Sequence, residues 1–269
     1  CIFERDGDTG KKIEGALRTQ MSRLGGSTAN IIDASTITWQ SKKHKYSWDG
    51  IPGYDVDYEI LSIFSDFYDG LDEINRVISG EVTTPALDFK SIKFYQMPDM
   101  YNFGQNRHMR TSWYSAGCGA PNVSGRILSI AYSIDTYGAG AAHPNHWFQT
   151  FNFVLDPVMR IRSLRELFEH HEKALELIQE KCRKDIISEL EILNGPGLPD
   201  NSMMEWITQG TKNWECFDQF SLNKEYITIL FPPYQVAAYA FGSFSASIAY
   251  KEIIDLMREP FLSLFRYPS

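Results

Sequence analysis

Arg126–Tyr137 reads RILSIAYSIDTY and Trp147–Leu155 reads WFQTFNFVL. In the first stretch Ile127, Ser129 and Ala131 alternate with Leu128, Ile130 and Tyr132. In the second, Trp147, Gln149, Phe151 and Phe153 alternate with Phe148, Thr150 and Asn152. A period of two, in runs this rich in β-branched and aromatic residues, is that of strands with at least one face in a core. The intervening run Gly138-Ala139-Gly140-Ala141-Ala142-His143-Pro144-Asn145-His146 makes the pair a hairpin with a long, glycine-rich tip.

Downstream, Asp156-Pro157 turns the chain. Ser163 stands three residues before Glu166, the spacing of a helix capping box. A long helix is expected from Leu164 to about Leu193, with Leu175, Ile178, Cys182, Ile186 and Leu190 on one side. Asn194-Gly195-Pro196-Gly197 stops it. A short helix over Met203–Gln209 follows, then strands at Phe217–Leu222 and Tyr226–Phe231. Pro232-Pro233-Tyr234 breaks the pattern before a last strand, Phe244–Ala249, and a helix from Tyr250 to about Met257.

Upstream, residues 9–24 carry Ile13, Leu17, Met21 and Leu24 at helical spacing, stopped by Gly25-Gly26. A short strand is expected at Thr36–Trp39. A helix is expected over 57–79, with Ile60, Ile63, Phe64, Phe67, Leu71, Ile74 and Ile78 as its stripe, and a strand at Phe89, Ile92, Phe94 and Tyr95. Residues 98–124 read as an irregular excursion with one strand around Arg110–Tyr114. The fold class is α+β. The chain divides into a mixed helical segment (1–86), an α+β domain with an antiparallel sheet packed by helices (87–258), and a tail (259–269).

The 269 residues carry a net charge of −8 and are 14% aromatic. The aromatics supply both core and contact area. The nearest thing to a basic patch, Lys42-Lys43-His44-Lys45, reads as a solvated loop, so no nucleic-acid partner is expected. An acidic chain is suited to a basic protein partner. No apolar run reaches the length of a membrane-spanning helix, and no signal peptide is present. Cys1 admits a lipid anchor, as in a mature lipoprotein, or is simply where the chain begins, the simpler reading. Cys182 and Cys216 are either a disulfide in an oxidising compartment or two free thiols.

The order of segments from Arg126 onward carries a resemblance. A strand leads to an Ala141-Ala142-His143 tip, then FNFVLD (151–156), a helix opened by SLRELF (163–168), FSLNKEYITILFPPYQVAAYAFGSFSASI (220–248) and a final helix. Over about residues 126–258 this resembles the C-terminal domain of the RsiV-like family of bacterial extracytoplasmic proteins. Two departures stand out: Ala141 where the tip has Gly, and Gln235 where an acidic residue follows the tyrosine. The membrane helix and sigma-binding segment of the anti-sigma members are also missing, so the resemblance carries the sensing domain and not that activity. Its best-known member looks like a receptor for lysozyme whose domain covers that enzyme's cleft.

What the resemblance implies is a protein-binding inhibitor or immunity protein that blocks a cell-wall-degrading, lysozyme-like hydrolase or toxin, in the periplasm or otherwise outside the cytoplasm. It implies no enzyme, cofactor or metal. Two other classes stand beside it: a peptidoglycan- or glycan-binding module working through exposed aromatics, and an unrecognised cell-wall hydrolase.

The expected contact residues lie in two stretches. Pro232-Pro233 hold a loop rigid, which lowers the entropy lost on binding, and Tyr234 offers a ring and a hydroxyl with Gln235 beside it. The hairpin tip presents His143, Asn145, His146 and Trp147. Tyr234 packed under its own loop is the plain alternative. His143 and His146, three apart, lack a third ligand at a telling spacing, so a structural role is expected for His143. His170-His171 reads as a solvated helix face. Asp55, Asp57 and Glu59, and Asp66, Asp69 and Asp72, read as polar helix faces and not as a carboxylate pair for hydrolysis. No GxSxG, HExxH or phosphate-loop motif occurs.

Overall fold

The computed structural model describes residues 37–95, 107–194 and 199–266. The helix expected over 9–24 and Cys1 lie outside them.

The hairpin is present as expected. Strands β5 (Ile127–Tyr137) and β6 (Asn145–Leu155) pair antiparallel from Ile127↔Val154 to Thr136↔Asn145. They form the middle of a mixed sheet that runs β1 (Thr38–Trp48), β2 (Gly53–Phe64), β3 (Thr111–Cys118), β5, β6, β7 (Val158–Ile161), with β4 (Asn122–Ser124) paired to β5. All these pairs are antiparallel except β2 with β3, which is parallel. Helix α1 (Leu71–Tyr95) crosses between those two strands. A short helix α2 (Arg107–Arg110) leads into β3.

Here the structure corrects the reading of the N-terminal half. Residues 57–64 are strand and 87–95 are helix. The apolar stripe from Ile60 to Ile78 spans two elements, divided by a left-handed turn at Gly70 (φ 78°) whose carbonyl accepts from Glu73 N at 3.0 Å. Leu61 and Ile63 are buried in a strand flanked on both sides, while Leu71, Ile74, Ile78, Val82 and Ala86 form the inner face of α1. Thr83, Thr84 and Pro85 are poor helix formers, so local preference argued for a break, but packing against the sheet overrides it. The division at 86/87 falls inside α1, at buried Ala86, and β2 before it pairs with β3 after it.

Asp55 and Asp57 accordingly sit on a strand, where a period of two puts both on one face. Lys42-Lys43-His44-Lys45 belongs to the edge strand β1 and not to a loop. Its exposed lysines make that edge a poor template for another chain's strand. The short strand expected at 36–39 is the start of this eleven-residue strand.

The C-terminal half is a second core. Helix α3 (His171–Asn194) buries Ala174, Ile178, Cys182, Ile186 and Leu190 against a three-stranded antiparallel sheet, β8 (Phe220–Leu222), β9 (Tyr226–Phe231) and β10 (Phe244–Ala249). The capping box at Ser163 and Glu166 is present, but it caps a separate 3₁₀ turn, Leu164–Leu167. The helix proper begins at His171, which leaves His170 just outside it. Helix α4 (Asn201–Gly210) is capped by Asp200. The chain closes with α5 (Tyr250–Ile253), a 3₁₀ turn and α6 (Phe261–Arg266). Buried Phe261 and Phe265 make α6 part of the core and not a tail. Cys182 is a free thiol, as is Cys216, which donates to Asn213 Oδ1 at 2.9 Å; the disulfide is absent.

The two cores meet on the face of the large sheet opposite α1. Leu128, Ile130, Phe151 and Phe153 face α1, so Ser129, Thr150 and Asn152 face away. Those three take the outward backbone groups of β8. Leu222 N donates to Ser129 Oγ (2.9 Å), Asn152 Nδ2 donates to Phe220 O (2.9 Å) and Phe220 N donates to Thr150 Oγ1 (3.3 Å). Ser129 Oγ donates in turn to Asn152 Oδ1 at 2.6 Å. An edge strand that would otherwise bury unpaired groups is thereby satisfied by side chains.

Candidate partner-binding site

The hairpin tip and the proline turn, far apart in the chain, come together. Ala139 N donates to the buried hydroxyl of Ser112 (2.9 Å), which ties the tip to β3, and Gly140 supplies the positive φ of the turn. This places the His143 ring on that of Tyr239, 3.8 Å between centroids and 20° from parallel. Its Nε2 lies 3.0 Å from the Tyr234 hydroxyl, and its Nδ1 lies 2.8 Å from the Pro144 carbonyl.

The proton positions follow. A carbonyl only accepts, so Nδ1 of the neutral ring carries the hydrogen; Nε2 is then an acceptor, and the Tyr234 hydroxyl donates to it. The Tyr234 oxygen is left to accept from whatever approaches.

Tyr234 is half exposed and has φ 70°, among the described residues the one non-glycine position with a left-handed backbone. Such a conformation costs roughly 1–3 kcal/mol and persists only when its surroundings over-determine it. They do so here. Tyr234 N donates to Ala237 O (3.1 Å) and Gln235 N donates to Pro232 O (3.2 Å). The Gln235 amide donates to the carbonyls of Gly210 (3.0 Å) and Cys216 (2.7 Å). Gly210 has no Cβ because there is no room: one built there would meet the Gln235 carbonyl oxygen at 2.0 Å.

Of the expected contact residues, then, His143 and Tyr234 meet, Pro232 and Pro233 are half-buried supports, and Asn145 is exposed. Gln235 points inward as the anchor of the turn. His146 turns away from the tip, its Nδ1 2.7 Å from Asp135 Oδ1 and its ring edge-on to Phe148. Trp147 lies on the α1 side of the sheet, packed against that core. Two rings that sequence reasoning missed complete the site. Tyr239 lies 5.5 Å from Tyr234, and Trp206, partly exposed on α4, lies 6.4 Å from it. The helical spacing that buries Ile207 was a signal that its neighbour Trp206 faces outward.

Among the described residues no group of three His, Cys, Asp or Glu side chains is placed to hold a metal, and no helix is long and apolar enough to cross a membrane.

No curated protein matches the chain. Solved structures that share its fold include two DUF3298 proteins. A DUF3298 family member from Bacteroides fragilis is 11% identical with a TM-score of 0.56, over 86% of this chain and 97% of that one. A DUF3298 family protein from Pseudomonas aeruginosa is 15% identical with a TM-score of 0.57, over 87% and 97%. The sequence match falls on the second core and supplies Trp206, Tyr234 and Tyr239, while His143 comes from the hairpin before it. Residues 165–251 match the model of the DUF3298 family, described as a protein of unknown function.

Proposed function

We propose that the chain binds another protein through the Tyr234 site and that its partner is a basic, lysozyme-like hydrolase or toxin acting on the cell wall, which it inhibits by filling the cleft. The observation that carries this reading is Tyr234 itself. A strained backbone, two prolines and a half-buried glutamine anchor hold one ring half in solvent, and His143 fixes the direction of its hydroxyl. Preorganised aromatic anchors of this kind dominate interface energies.

Because its hydroxyl hydrogen is already committed, Tyr234 calls for a donor on the partner, such as an arginine or lysine side chain. The net charge of −8 favours the same partners. The resemblance to the RsiV-like family points the same way and suggests a site of action outside the cytoplasm. The reading assigns no reaction to the chain.

The test is calorimetric titration of the purified chain with a panel of lysozymes and other wall-cleaving hydrolases, with inhibition assays on each binder. A tight, salt-sensitive complex that blocks hydrolysis is expected, and Tyr234→Ala should weaken it at least tenfold at unchanged thermal stability. Absence of binding to every hydrolase, or equal binding by Tyr234→Ala, refutes the reading.

A further inference from the structure

We propose a second site, separate from Tyr234: the open face of the large sheet over β1, β2 and β3 binds a neutral oligosaccharide.

Among the described residues, the small sheet and α3 pack on the β5–β7 part of the face opposite α1. Beside it, at Lys45–Ser47, Asp55–Asp57 and Trp113–Ser115, the sheet is hollowed into a cleft of about 400 Å³. This lies within the roughly 300–1,000 Å³ of small-ligand sites. Val56, Tyr58 and Tyr114 point into the core under α1, so by alternation Lys45, Ser47, Asp55, Asp57, Trp113 and Ser115 line the open side.

The chemistry of the lining selects the ligand. Trp113 lies against Tyr137 of β5, with ring centroids 6.2 Å apart and planes 21° from parallel, both half-buried. Together they make a flat aromatic wall. The C–H face of a pyranose ring carries slightly positive hydrogens that suit the negative face of such rings. The charged groups beside them are already matched. Lys45 Nζ is 2.8 Å from Asp57 Oδ2, and Ser47 Oγ donates to Asp55 Oδ1 at 2.6 Å. An ionic ligand has to compete with these bonds. A hydroxyl group, donor and acceptor at once, adds to the Lys45–Asp57 pair, because its ammonium hydrogens and carboxylate oxygens outnumber the one bond between them. Strand pairing fixes the floor on both sides of β2, so the array is set before the ligand arrives.

The experiment is titration of the full chain with N,N′-diacetylchitobiose, cellobiose and maltose, followed by tryptophan fluorescence and amide NMR shifts, with methylguanidinium chloride and sodium acetate as ionic probes. Saturable binding of at least one saccharide is expected, with shifts on β1–β3. Trp113→Ala should weaken it at least tenfold, and Ser115→Trp, which plugs the cleft, should abolish it. Trp113→Phe, weakened to a lesser degree, takes the place of Trp113→Ala if circular dichroism shows that variant unfolded. Tyr234→Ala should leave saccharide binding unchanged, which separates this site from the protein-binding one. The proposal is overturned if none of the three saccharides binds saturably, if an ionic probe binds more tightly, or if a folded Trp113 variant or Ser115→Trp binds like the unaltered chain.

Discussion

Replacing Asn152 by Leu tests how the two cores are joined. The side chains are of similar size, so the change leaves little cavity and acts on hydrogen bonds. Asn152 is 1% exposed and Ser129 0%. Two bonds vanish: Asn152 Nδ2 to the Phe220 carbonyl at 2.9 Å, and Ser129 Oγ to Asn152 Oδ1 at 2.6 Å. The Phe220 carbonyl and the Ser129 hydroxyl hydrogen are then buried without partners. Each orphan costs about 1–3 kcal/mol, so the variant should lose about 2–6 kcal/mol. At roughly 2–4 °C per kcal/mol for a chain of this size, that lowers the melting temperature by about 4–24 °C. Because Ser129 Oγ also accepts from Leu222 N, the two residues act together. In the cycle with Ser129→Ala, the double variant should be less destabilised than the sum of the singles, by about 1–2 kcal/mol. Urea titration read by circular dichroism and tryptophan fluorescence supplies all four stabilities. An Asn152→Leu stability within about 0.5 kcal/mol of the unaltered chain, the range of an ordinary surface change, would refute the argument that side chains seal the β8 edge.

The other predictions concern the Tyr234 turn and an ion pair. Gly210→Ala drives a methyl into the Gln235 carbonyl, which is backbone and cannot swing aside. It should cost about 1–3 kcal/mol by overpacking, and amide NMR should place the disturbance at 232–237; unchanged stability refutes the close approach. Arg160 grips the Glu81 carboxylate at both oxygens, one bond being 2.8 Å, and holds its pKa below the usual carboxylate value. A carboxylate depressed in the folded state stabilises above its unfolded pKa, and that contribution is lost as pH falls toward the folded value. Glu81→Gln should therefore flatten the acid side of a melting-temperature profile and change the neutral side less in slope; an unaltered acid slope refutes it.

Where an element's own residues carry its pattern, the sequence was sufficient. The β5–β6 hairpin, the buried side of α3, strands β9 and β10 and the capping box at Ser163 are all written in local periodicity. That periodicity survives in α3, β9 and β10 because each turns one apolar face to the core, and in β5 and β6 because the residues toward the second core include the polar Ser129, Thr150 and Asn152. Between Val56 and Tyr95 it misled. The central strand β2 is buried on more than one side, so its apolar residues fall at spacings that a helix also produces. The following helix keeps Thr83, Thr84 and Pro85 only because the sheet beneath holds it. The parallel pairing of β2 with β3 spans a whole helix and leaves no mark in either strand.

The candidate site divides the same way. From sequence alone, the two prolines fix a rigid turn at 232–233 that carries Tyr234, and the glycine-rich tip carries a histidine, since these follow from the covalent nature of the residues. Tertiary structure decided the rest. It set Tyr234 against His143 across ninety-one residues. It turned Gln235 inward to the Gly210 and Cys216 carbonyls, sent Trp147 to the α1 side and brought Trp206 and Tyr239 beside the tyrosine. The physical reason is that composition and period specify which face of an element is apolar, while which two polar groups meet depends on how whole faces pack, and that is settled by buried area and unpaired donors summed over both cores.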